Sequence, residues 1–217
     1  MKANVSKNRD VYPERTQELL IQTGKRLFAS KGFDGVTIRE IAEQAKVNFS
    51  LIRYYFGDKE GLYRACLALY GKARLESAQK ILVPVASTDE FRIRLKMIIQ
   101  EIIDSVLRDP DLSRMMLREV ESEYPLATDV LRETVVKMAQ AFVEFFSSAQ
   151  KAGILRKNLS PLFLTQIMQL TLSHLVLTDE TRGRFFNMSI KNSKNRDALV
   201  ENLYTLILNG VLQTEEL

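Results

Sequence analysis

Phe49, Ser50, Arg53 and Tyr54 fall on one side of a short helical stretch, opposite Ile52 and Phe56, which are four residues apart and form its apolar stripe. Two aromatic rings and a guanidinium facing water are costly to leave uncovered, so this side reads as a recognition surface. Charge points to the kind of partner. Residues 1–64 carry 12 basic and 8 acidic side chains, whereas the rest of the chain carries 19 of each. The whole net charge of +4 therefore sits in the first third, where clustered Lys and Arg gain by neutralising phosphates and releasing counterions. Catalytic chemistry finds little support. There is one His, His174, one Cys, Cys66, no glycine-rich phosphate loop and no nucleophile motif, so neither an enzyme nor a metal or other cofactor is expected.

The elements that position this surface are helical. The 217 residues contain only 9 Gly and 5 Pro, against a loop-rich all-β chain, and the length suffices for a core without disulfides. A lone cysteine and a polar N-terminus without an apolar leader point to the cytoplasm. Leu20, Gly24, Leu27 and Phe28 share a face of a first helix that should stop at Gly32. Thr37 and Glu40 form a capping box, Asn48 can cap a third helix to Phe56, and Asp58 a fourth to about Lys80. Further helices are expected from about Asp89 to Arg108, Pro110 to Glu123, Pro125 to Lys151, Pro161 to Leu177 and Asp197 to Leu212, about nine in all. The last two are apolar nearly all round and so must be buried on more than one side. In a domain this small, that argues for a homodimer through residues 161–177 and 197–212. The uncharged stretch 158–178 contains Gln166, Gln169, Ser173 and His174 and reads as a core helix rather than a membrane span.

Residues 37–56 form a helix, a tight turn and a second helix. Ile38, Ile41, Ala42 and Ala45 give the first an inward face, and Val47 plugs the space under the turn. These residues carry a resemblance. From Arg15 to Leu62 the chain resembles the N-terminal domain of the TetR family of transcriptional repressors. The matching residues are Leu20, Leu27-Phe28 and Lys31-Gly32-Phe33, then Thr37 and Ile41-Ala42, then Val47, and the run Tyr55-Phe56-Gly57-Asp58-Lys59-Glu60-Gly61-Leu62. The resemblance implies an all-α fold: a three-helix helix-turn-helix DNA-binding domain at 1–58, with 1–13 a flexible arm, and a helical regulatory, ligand-binding and dimerisation domain at 59–217.

It further implies that Phe49, Ser50, Leu51, Arg53 and Tyr54 face the major groove, while Thr37, Arg39, Tyr55 and Lys59 hold phosphates; Asn48 is counted among the DNA-binding residues as well. The chemistry is compatible: Arg can grip guanine with two hydrogen bonds, apolar atoms suit the thymine methyl, and Lys59 sits at a helix N-terminus. Two departures stand out. Lys46 occupies a turn position where many members carry Gly, and Arg53 stands where many have a phosphate-binding Tyr, leaving open whether it reads base or phosphate.

The family plan also implies an effector pocket, for which Met97, Met115, Tyr124, Phe142, Phe146 and His174 are candidates; their character suggests a small hydrophobic effector. The expected function is a ligand-responsive repressor that binds a palindromic double-stranded DNA operator as a dimer. The alternative is a dimeric helical adaptor using the Phe49/Tyr54 face on another protein. Two bland readings also stay open: that Phe49 and Tyr54 simply pack on the fourth helix, and that His174 is a structural histidine.

Overall fold

The computed structural model describes residues 13–123 and 125–212. Its elements are α1 (Pro13–Lys31), α2 (Ile38–Gln44), α3 (Ser50–Phe56), α4 (Lys59–Ile81), α5 (Thr88–Arg108), α6 (Pro110–Glu121), α7 (Thr128–Leu131), a π-helical turn (Arg132–Val136), α8 (Lys137–Lys151), α9 (Pro161–Leu177), α10 (Asp179–Phe186) and α11 (Ser193–Val211). Among the described residues there is no strand, only an isolated bridge between Leu155 and Leu212. The fold is all-α. No helix among these residues is long and apolar enough to cross a membrane.

Helix starts follow local capping chemistry. Thr37 accepts from the Glu40 amide, Asp58 from that of Gly61 and Asp109 from that of Leu112, each contributing about 1 kcal/mol. The helix expected near Asp89 begins at Thr88, because Ser87 takes the cap and Glu90 reaches back to the Ala86 amide. Asn48 works one residue earlier than expected. Its Oδ1 accepts from the Ser50 amide while Phe49 occupies the cap position of α3.

Three differences from the expected helices have physical causes. The run expected from Pro125 to Lys151 is broken into α7 and α8 by the π turn, which brings Thr134 and Val135 toward α4. The expected end near Glu123 falls at Glu121, where Ser122 turns extended. A further helix, α10, has no apolar period to announce it. It is held instead by the Asp179 carboxylate, which accepts from Arg182, the Ser189 hydroxyl and the Ile190 amide, and it ends at Asn187 in the left-handed conformation.

Packing produces two hydrophobic cores. One gathers Leu20, Phe28, Ile41, Ile52, Leu62 and Cys66 from α1–α4, and it extends to Leu112, Met115 and Met116 of α6 and Val130 of α7. The other centres on Phe91, Leu95, Phe142, Phe145 and Phe146, with α9 and α11 packed around them. The packing of the first core thus does not stop at residue 58: α4, α6 and α7 complete it.

The turn between α2 and α3 shows a local strain. The Val47 amide donates to the Ala42 carbonyl and the Lys46 amide to that of Glu43, a Schellman ending with Lys46 at φ 54°. The same pair of bonds closes α8, from Ile154 to Ala149 and from Gly153 to Gln150, but there the left-handed residue is glycine at φ 75°. A lysine Cβ crowds the backbone in this region, whereas glycine does not. Lys46→Gly should therefore raise stability by up to about 1 kcal/mol, measured as a higher urea midpoint at unchanged slope.

Candidate nucleic-acid interface and effector cavity

The recognition surface is built by burying its opposite side. Ile52 of α3 and Ile41, Ala42 and Ala45 of α2 sit in the first core, which turns the other face of α3 outward. Tyr54 is 79% exposed and Phe49 53%, so both rings lie at the surface rather than in the core. Tyr54 meets Tyr55 edge-on at 4.9 Å, and Tyr55, half-buried, leans on Phe56. Arg39 and Arg53 are exposed and, among the described residues, have no carboxylate within ion-pairing distance. Thr37, Asn48 and Ser50 are exposed as well, and Leu51 is half-buried. Thr37, Arg53 and Lys59 border one shallow cleft between the α1–α2 connection and α3.

Lys59 has a structural task. Its Nζ donates to the carbonyls of Phe33 (3.0 Å) and Val36 (3.1 Å) and sits 4.0 Å from the centre of the Phe33 ring, pinning the connection between α1 and α2 onto the head of α4. At most one of its three N–H bonds is left for an anion. The sequence placed Lys59 at a helix N-terminus but held no trace of these carbonyls.

Behind this surface, α6 and α4 are tied to α1 by polar contacts. The Arg118 guanidinium caps α1, donating to the carbonyls of Phe28 and Ala29. Lys25 forms a 2.8 Å ion pair with Asp109, the cap residue of α6. Glu119 is buried, and its two oxygens accept from the Tyr63 hydroxyl at 2.9 Å and the Ala127 amide at 3.0 Å. Burial, then the Glu119 carboxylate, hold the Tyr63 phenol neutral far above its ordinary range, because ionisation would set a phenolate against a carboxylate. Burial likewise pushes the Cys66 thiol up to about 12, and the thiol lies 3.4 Å from the Ile21 carbonyl as a small core residue.

A cavity of about 160 Å³ lies immediately beyond, between α4, α5, α6, the π turn, α8 and α9. Its walls are mainly apolar, with Ile102, Val106, Met116, Met138, Phe142 and Leu172 among them. Of the pocket candidates from the sequence, Phe142 lines this cavity. Phe146 and Met115 are buried in the two cores instead, and Met97 and His174 are exposed outside it. Tyr124 lies outside the described residues. Periodicity marks Tyr70, Ser113 and Gln169 as helix positions only, so their meeting at one cavity could not be read from the chain. Among the described residues no group of His, Cys, Asp or Glu could hold a metal ion.

Comparison with known proteins places this geometry. Residues 20–66 match the family model described as bacterial regulatory proteins, tetR family. The chain is similar to the probable HTH-type transcriptional regulator YttP of Bacillus subtilis, 27% identical over 158 residues, 71% of this chain and 74% of that protein. It is also similar to the HTH-type transcriptional regulator RutR of Escherichia coli K12, 26% identical over 188 residues, covering 85% and 84% of the two chains. In fold it is similar to a putative fatty acid metabolism regulator of Clostridium perfringens, with a TM-score of 0.73, 15% identity and coverage of 90% and 100%.

Two outcomes follow from the interior contacts. A Cβ on Gly71 would stand 2.5 Å from Cγ2 of Thr134, whose rotation is restrained by its hydrogen bond to the Val130 carbonyl. Gly71→Ala should push α4 from the π turn and destabilise by about 1–3 kcal/mol, seen as a lower thermal midpoint. Both buried acids, Tyr63 and Cys66, lose their protons more easily when unfolded, so the folded form binds more protons at high pH. The thiol's contribution is intact below about pH 9 and the phenol's below about pH 10, their ordinary values, and above these each declines at up to about 1.4 kcal/mol per pH unit. Urea titrations from pH 7 to 11 should show that loss, and Cys66→Ala should lessen it.

Proposed function

The chain belongs to the tetR family of bacterial regulatory proteins and is a DNA-binding transcriptional regulator; from that premise we propose that it is a dimeric repressor released from a palindromic operator by a small, largely apolar effector. One observation carries the ligand response: the cavity and the recognition module share their supports. Tyr70 lines the cavity and donates to the Ser113 oxygen at 2.5 Å; Ser113 donates to the Asp109 carbonyl, and the Asp109 carboxylate holds Lys25 of α1. Ser113 has one proton and spends it on Asp109, so Tyr70 must be the donor in the first link. An effector that moved α4 or α6 would therefore move α1 and, with it, the spacing of two recognition helices in a dimer.

The apolar outer faces support dimerisation. Phe163, Ile167 and Leu170 follow each other along the exposed side of α9, and Leu206 is exposed on α11. The inner sides of the same helices are buried through Met168, Leu172, Val200 and Leu208. A second copy covers such outer faces and sets two α3 helices against half-sites about 34 Å apart, or a multiple of that.

Arg53→Ala should weaken binding to the DNA upstream of the chain's own gene by about 1–3 kcal/mol and reduce discrimination against random duplex. Fluorescence anisotropy at two salt concentrations measures both. A salt-sensitive affinity with no preference for that DNA, or an Arg53→Ala protein that binds it as well as the original, would overturn the reading and leave the exposed aromatic face to a protein partner.

A further inference from the structure

We infer that the effector is an organic anion, a compact apolar body ending in a carboxylate, and that Arg74 of α4 is the group that binds it. This rests on the reading of the cavity as the effector site and names the chemistry of that ligand.

Arg74 is the one cation among the described residues that line the cavity. It is half-buried, and among the described residues no carboxylate lies within ion-pairing distance of it. Other arginines of the interior are engaged: Arg118 caps α1 and Arg182 pairs with Asp179. Among the described residues the Arg74 guanidinium reaches only the Tyr70 hydroxyl, at 3.4 Å, and lies 6.0 Å from the Tyr70 ring centre. A guanidinium has five N–H donors, and one long bond to a phenol leaves most of them to water or to a ligand.

The polar order around it favours an anion. Tyr70 gives its only proton to Ser113, so toward Arg74 it acts as an acceptor, and the chain of donors runs from Arg74 through Tyr70 and Ser113 to the Asp109 carbonyl. Among the described residues no acid lines the cavity to neutralise the guanidinium or to repel a carboxylate. A planar carboxylate matches the guanidinium fork with two parallel bonds, strengthened where apolar walls exclude water. Gln169 and Ser173, one turn apart on α9, also line the cavity and supply further donors. Volume limits the apolar part. A dry cavity of about 150 Å³ accommodates a benzene-sized molecule, so about 160 Å³ fits a single ring or a short chain and excludes a large polycyclic ligand without expansion.

The experiment is calorimetric titration of the full chain, without DNA, with phenylacetate against phenylacetamide and with octanoate against octanamide. At least one acid should bind about ten- to a hundred-fold more tightly than its neutral amide. Arg74→Gln should erase that preference, and Arg74→Lys should retain part of it because the charge persists without the fork. Amides binding as tightly as the acids, no binding by either acid, or undiminished acid binding by Arg74→Gln each overturns the inference. If Arg74→Gln does not give the helical circular dichroism of the original, the acid and amide comparison on the original chain decides alone. Anisotropy with the upstream DNA is run in parallel. Specific DNA binding without acid preference refutes only the anion inference, whereas acid preference without specific DNA binding refutes the operator reading.

Discussion

The structure depends on α4 serving two hydrophobic cores at once. Its first turns bury Leu62, Tyr63, Cys66, Leu67 and Tyr70 in the recognition module, and its last turns bury Ala78 in the other core. A 23-residue helix spans about 35 Å, so it can belong to both only as a rigid strut. The strut has one point of close approach. At Gly71 the absence of a side chain lets the π turn press Thr134 against the helix, and the cavity opens beside that contact. Any shift of the π turn, α6 or α8 is therefore felt by the helix that carries the recognition module.

Most of the stabilisation in the recognition module is apolar packing, to which polar contacts add direction. Leu20, Phe28, Ile41, Ile52 and Leu62 are fully buried, and burying each is worth about 1.5–3 kcal/mol. The exposed ion pair between Lys31 and Glu40 contributes less, about 1 kcal/mol or below. What Lys59, Arg118 and Lys25 contribute is position. Lys59 ties the α1–α2 connection to the head of α4, and Arg118 and Lys25 tie α1 to α6. Lys59 shows how a single residue can be read in two ways. A cation at a helix start next to a recognition surface looks like a phosphate ligand in sequence; in the fold, two carbonyls and an aromatic ring hold it first.

The cavity belongs with this coupling rather than beside it. Tyr70, Ser113 and Met116 of its wall lie on two of the helices that complete the recognition core, and Ile102, Phe142 and Leu172 lie on α5, α8 and α9 of the other. A ligand seated there touches both bodies. The outer faces of α9 and α11 remain apolar, and Phe185 and Phe186 of α10, with Met188 just after it, are exposed as well.

Local sequence determined the helix ends and the recognition module, because caps act within three or four residues. Thr37, Asp58 and Gly32 mark boundaries that the structure keeps, and the spacing of Ile52 and Phe56 is enough to turn Phe49, Arg53 and Tyr54 outward. The doubly apolar character of α9 was legible for the same reason, since it depends only on composition around one helix. Tertiary structure alone decided the rest. Which helices complete the first core, where α7 yields to a π turn, that Lys59 faces carbonyls 23 and 26 residues away, and that Phe142 lines a cavity while Met115 and Phe146 do not, all depend on contacts between distant segments. Periodicity gives each helix an inward side. Only packing assigns that side a neighbour, because the free energy of burial is indifferent to which apolar surface supplies it.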